Sequence, residues 1–173
     1  MKKRFWKTAL LLVIALLILG GVWYARPVGV ETLFLGLEPD QISVTVLDFD
    51  GSKQVDRSLT LLKGTPEFDE LWGEVQALRF RRPPTNVLVR ALPFLAGTSP
   101  AQSKTLGEDD IDHLYLNFFQ GDDPSATQTG VLGFWVDSWE YRDFDRGVTL
   151  PLRMKDGQSI GQEMAHALWD QAE

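Results

Sequence analysis

The stretch Asp48-Phe49-Asp50-Gly51-Ser52-Lys53-Gln54-Val55-Asp56 sets an oxygen-bearing side chain at every second position. That is the rhythm in which an EF-hand loop offers donors to calcium. The chemistry fails at two places. Lys53 stands at the sixth position, where the loop needs glycine for its sharp turn, and Leu59 stands at the twelfth, where a bidentate glutamate would close the cage. The flanks alternate like strands, so a plain hairpin is expected here. Denser acids occur at Glu108, Asp109, Asp110 and Asp112 and at Asp122-Asp123. Neighbouring carboxylates in turn-rich sequence are not a preorganised cage, and solvated loop charge is the expectation. No metal site and no cofactor follow from these residues.

Nucleophilic and acid–base chemistry fare no better. The chain has no cysteine, and its two histidines are His113 and His166. His166 falls on the polar side of an amphipathic stretch with Glu163 and Asp170, while Ile160, Met164 and Leu168 share the apolar side. His113 begins a strand beside Asp112. G-x-S-x-G, H-E-x-x-H and the P-loop pattern are absent. No catalytic residue is therefore assigned. An enzyme using paired carboxylates in the manner of a glycosidase stays as the alternative, because two acids distant in sequence can meet in a fold.

Four arginines, Arg79, Arg81, Arg82 and Arg90, cluster in sequence. Their expected role is pairing with surrounding acids at a strand edge, with an acidic partner as the other reading. Charge makes nucleic acid a poor partner, because a domain this acidic repels phosphate backbones and anionic lipid headgroups alike. The first 26 residues carry five basic residues and no acid, so the remaining 12 basic and 24 acidic residues leave residues 27–173 at −12.

Aromatic residues supply the candidate binding site. Tyr115, Asn117 and Phe119 alternate with Leu114, Leu116 and Phe118, so the two sets leave a strand on opposite faces. On the next strand, Val131, Gly133 and Trp135 match the first set, and Leu132, Phe134 and Val136 match the second. Aromatics interleaved with an amide suit stacking on a sugar or anchoring of a protein. Tyr115, Asn117, Phe119 and Trp135 are the candidate binding residues. The competing expectation is a second small core, with this face covered by residues 33–37 or 87–95.

The elements that would position this face read as α+β. Ile42, Val44 and Val46 alternate with polar residues, Asp50-Gly51 turns, and 54–62 return. Thr65-Pro66-Glu67 opens a helix whose stripe is Phe68, Leu71, Trp72, Val75 and Leu78. Arg79-Phe80-Arg81-Arg82 leads toward a strand that Pro83-Pro84 stops. Residues 96–110 are polar and turn-rich, and a mobile loop is expected there. QGDDPSATQTG reads as a long loop. Strands are expected at 114–119, 131–136, 139–144 and from Val148 through Leu150, Leu152 and Met154. A last helix is expected from Ser159, with Gln162 in a capping box. Strands in groups, with helices after each group, predict an antiparallel sheet of about five to seven strands with two helices on one face.

Ala9 to Ala25 is an uncharged, apolar run preceded by Lys2, Lys3, Arg4 and Lys7 and followed closely only by Arg26. It predicts a transmembrane signal-anchor helix at 8–25, with residues 1–7 as a cytoplasmic tail. Residues 26–41 then form a stalk, whose Leu33, Phe34, Leu35 and Leu37 suggest that it docks, and 42–173 an extracytoplasmic domain. A cleaved signal peptide fits worse, since Trp23 and Leu19 sit where small residues would precede cleavage. The combined expectation is a single-pass membrane protein bearing a non-catalytic interaction domain. Its partners would be the membrane, through the helix, and an envelope protein, a toxin it neutralises or a glycan.

Overall fold

The computed structural model describes residues 2–33, 36–50, 53–81, 111–121, 126–135, 138–144 and 147–172. Helices α1 (Lys2–Tyr24) and α2 (Val30–Leu33) precede a hairpin of β1 (Gln41–Asp50) and β2 (Lys53–Leu62). Helix α3 (Pro66–Ala77) follows. After it come β3 (His113–Gln120), β4 (Thr127–Trp135), β5 (Ser138–Asp143), β6 (Val148–Leu152) and α4 (Gly157–Trp169). The class is α+β, and the six strands form one sheet in the order β2-β1-β3-β4-β5-β6, antiparallel throughout.

Register sorts the residues into faces. Val44 lies opposite Leu116, Leu116 opposite Leu132, and Leu132 opposite Tyr141, and all four are buried. Phe134 is likewise flanked by Leu114 and Trp139. On this side α3 contributes Phe68, Leu71 and Val75, and α4 contributes Met164, Ala165 and Leu168. Trp72 is only partly buried and meets Phe118 edge-on at 5.8 Å. Helix α3 starts as its sequence predicts: Pro66 follows the cap, and the Phe68 backbone N–H donates to the Thr65 hydroxyl at 3.3 Å. Helix α4 comes so close to the sheet that a Cβ on Gly161 would fall within 3.0 Å of the Phe134 ring.

Several expectations need correcting. The segment foreseen as a stalk is part of the fold: Val28, Val30, Leu33 and Leu37 are buried in the main core. Its first anchor is a two-way backbone pairing. Val28 N–H donates to Phe80 C=O at 2.8 Å, and Phe80 N–H donates to Val28 C=O at 2.9 Å. Phe80 and Arg81 thus form isolated bridges, to Val28 and Arg153, rather than a strand of their own. Gln162 does not cap α4, which begins at Gly157. Its buried amide instead accepts from Ile111 N–H and donates to Ile111 C=O, each at 2.9 Å. The loop before β4 is shorter than expected, because β4 begins at Thr127. Residues 87–95, the expected mobile loop at 96–110 and Asp122-Asp123 lie outside the described residues.

Among the described residues no helix is long and apolar enough to cross a membrane, so the transmembrane part of the expected architecture is not supported there.

Candidate functional site

The face turned away from α3 and α4 is built by the same alternation that builds the core. Tyr115, Asn117 and Phe119 are half-buried on β3, and Trp135 at the end of β4 is 48% exposed. Three geometric facts shape the strip they form. Tyr115 lies opposite Gly133, and a Cβ there would sit 3.3 Å from the Tyr115 ring and 3.4 Å from the Glu140 side chain. The missing side chain therefore lets the tyrosine ring lie low against the sheet. His113 stacks with Tyr115 at 6.0 Å and an interplanar angle of 18°. On its other side it tilts against Trp135 at 4.9 Å. Trp135, His113 and Tyr115 thus make a continuous aromatic run.

Asn117 behaves differently from the aromatics. Its Nδ2 donates to Ser43 C=O at 3.1 Å, and its Oδ1 accepts from Gln128 Nε2 at 2.8 Å. Much of its hydrogen-bonding capacity is turned into the sheet. Phe119 sits at the irregularity between β3 and β4, opposite Gln128 and Gln41. Beyond Tyr115, Arg142 donates to Glu140 through Nε at 3.2 Å and through its terminal nitrogen at 2.8 Å.

Electrostatics leave the aromatic run uncharged near neutral pH. Partial burial lowers the pKa of His113 below its ordinary value, opposed by the nearby Asp112 carboxylate. Burial raises that of Tyr115, Glu140 adds to the rise, and Arg142 opposes it. An uncharged, partly dry strip suits burial against another surface. Among the described residues no group of three or more His, Cys, Asp or Glu could hold a metal ion.

No family model, known protein or solved structure matches the chain.

Of the two segments expected to cover this face, residues 33–37 contribute Leu33 and Leu37 to the helix-side core, and 87–95 lie outside the described residues. The sequence reading placed Tyr115, Asn117, Phe119 and Trp135 on one side, and the register agrees. It missed His113, Gln128 and the Glu140–Arg142 pair as neighbours. His113 was within reach, since it belongs to the same period-two series as residues 115, 117 and 119. Of the four arginines expected to meet acids, Arg82 and Arg90 lie outside the described residues, and Arg79 donates instead to the Gln76 and Leu78 carbonyls, closing the end of α3. His166 is exposed, as the helical wheel predicts.

Proposed function

We propose that this chain is a membrane-anchored, extracytoplasmic, non-catalytic binding protein, and that Tyr115, Phe119 and Trp135 bind an envelope protein with His113 and Asn117 as support. The observation carrying the binding reading is Trp135: a sheet tryptophan, 48% exposed and in contact with His113, beside a strip whose neighbours are half-buried. Large aromatics of this kind anchor interfaces. A protein partner suits the strip better than a glycan, because the Asn117 amide is engaged by Ser43 and Gln128.

The anchor reading draws on α1. From Leu10 to Trp23 its large apolar side chains are exposed around the whole helix, Ile14 at 43% and Leu17 at 70% among them. A helix apolar on every side finds its partner in lipid. The uncharged run extends from Thr8 to Ala25, and Trp6 and Trp23 suit the two interfaces of a ~30 Å hydrocarbon layer. Basic residues before the run put the amino terminus in the cytoplasm.

Site-specific photo-crosslinking in the native membrane tests the binding reading. A crosslinker replacing Trp135 should give a discrete adduct that one at Glu74, on the exposed side of α3, does not. Identical adduct patterns from both positions would overturn it.

A further inference from the structure

We infer that the end of the domain where the chain leaves α1 is a headgroup-docking surface, on which Arg26, Arg81 and Arg153 seat against anionic phospholipid. This rests on the anchor reading above. Arg81 and Arg153 face each other directly in an antiparallel bridge, with N–H···O=C contacts of 2.6 and 3.0 Å. Residues so paired send their side chains off the same side of the sheet, about 5 Å apart at Cβ, and like charges there repel. Both arginines are exposed, and among the described residues neither has a carboxylate partner. Two guanidinium groups held side by side make a local positive spot in a domain whose other 10 basic and 24 acidic residues sum to −14, and an anionic surface would offset their repulsion.

Chain connectivity says where that anion lies. Tyr24 ends α1 and Val28 is already hydrogen-bonded to Phe80, the residue before Arg81. Only Ala25, Arg26 and Pro27 intervene, a reach on the order of 10–14 Å. With α1 in a bilayer, the Arg81–Arg153 pair lies within the depth of the headgroup layer. Arg26 stands over the Trp23 ring at 4.6 Å, an arrangement suited to the interface. Trp135 pairs with Ser138, and the β5–β6 register continued by one residue sets Ser138 opposite Arg153. The exposed end of the aromatic strip therefore belongs to this same membrane-facing end.

The absence of cysteine gives a direct test. Full-length chain carrying Ser138→Cys, labelled with a fluorophore, is reconstituted into phosphatidylcholine discs with or without phosphatidylglycerol. A headgroup-attached quencher reads proximity. Thr60→Cys, at the far end of the sheet, is the control position. We expect phosphatidylglycerol to favour the quenched state on the order of fivefold per arginine, with no change at Thr60. High salt, or Arg81→Glu with Arg153→Glu, should remove the effect, and the milder Arg81→Gln with Arg153→Gln should reduce it. An unchanged Thr60 signal and circular dichroism spectrum show that the variants are folded. Equal quenching in both lipids, or indifference to charge reversal, overturns the proposal while leaving the anchor intact. Failure of the chain to float with either lipid overturns the anchor and this proposal together.

Discussion

Phe134 and Trp135 are neighbours on β4 and face opposite ways. Phe134 is completely buried between Leu114 and Trp139 beneath Gly161 of α4, whereas Trp135 is 48% exposed and leans on His113. The same alternation produces both, so the difference lies in what covers each face. Two helices, with Val28, Val30, Leu33 and Leu37, close one side with apolar contacts. The other side keeps a strip of rings beside which Asn117 and Gln128 are bonded laterally within the sheet. The lesson is that residue type alone does not separate a core from a partly exposed face, since both carry large aromatics. What separates them is whether another element of the chain packs there.

The contrast can be broken first on the covered side. Phe134→Ala should lower stability by about 3–5 kcal/mol, read from denaturant melts of the detergent-solubilised chain. A loss below about 1 kcal/mol would mean that α4 does not pack as described. Next in size is Gln162→Leu, which leaves the N–H and C=O of Ile111 unpaired at a buried site. The expected cost is about 2–4 kcal/mol, and a neutral result would show that water replaces the amide. Gly161→Ala should destabilise by about 1–3 kcal/mol, because the added methyl meets the Phe134 ring. The sign is informative here, since the same change in a free helix would stabilise by about 1 kcal/mol.

The smallest effect sharpens the other side. The pKa of His113 is lowered in the fold chiefly by burial, so the folded state favours the neutral ring. Its contribution is fully present above the unfolded value of about 6.5 and is lost as pH falls through the lower folded value. The thermal midpoint should therefore decline on acidification below about pH 6.5, and His113→Gln should flatten that part of the profile. An unchanged profile in the variant would remove His113 from the strip's energetics.

How much of this was legible beforehand depends on range. Thr65-Pro66-Glu67 and the stripe from Phe68 to Leu78 carry their helix in local sequence, and the alternation of residues 114–119 assigns both faces of β3. The docking of Val28 against Phe80 joins residues far apart in the chain, so glycines and a proline between 29 and 39 read as a stalk. Gln162 matched a capping pattern locally, but Ile111 competes for the same amide and wins because both are buried. The site residues were legible as a face. Whether anything covers that face is a matter of tertiary contact, on which period-two patterning is silent.

The central claim is that Trp135 belongs to a binding face and not to a second core, and one comparison addresses it directly. Thermal or denaturant midpoints of Trp135→Ala and Phe134→Ala are measured side by side in the full-length protein. Phe134→Ala should lose about 3–5 kcal/mol and Trp135→Ala no more than about 1 kcal/mol. Comparable large losses for both would contradict it, and would place Trp135 inside a core of its own.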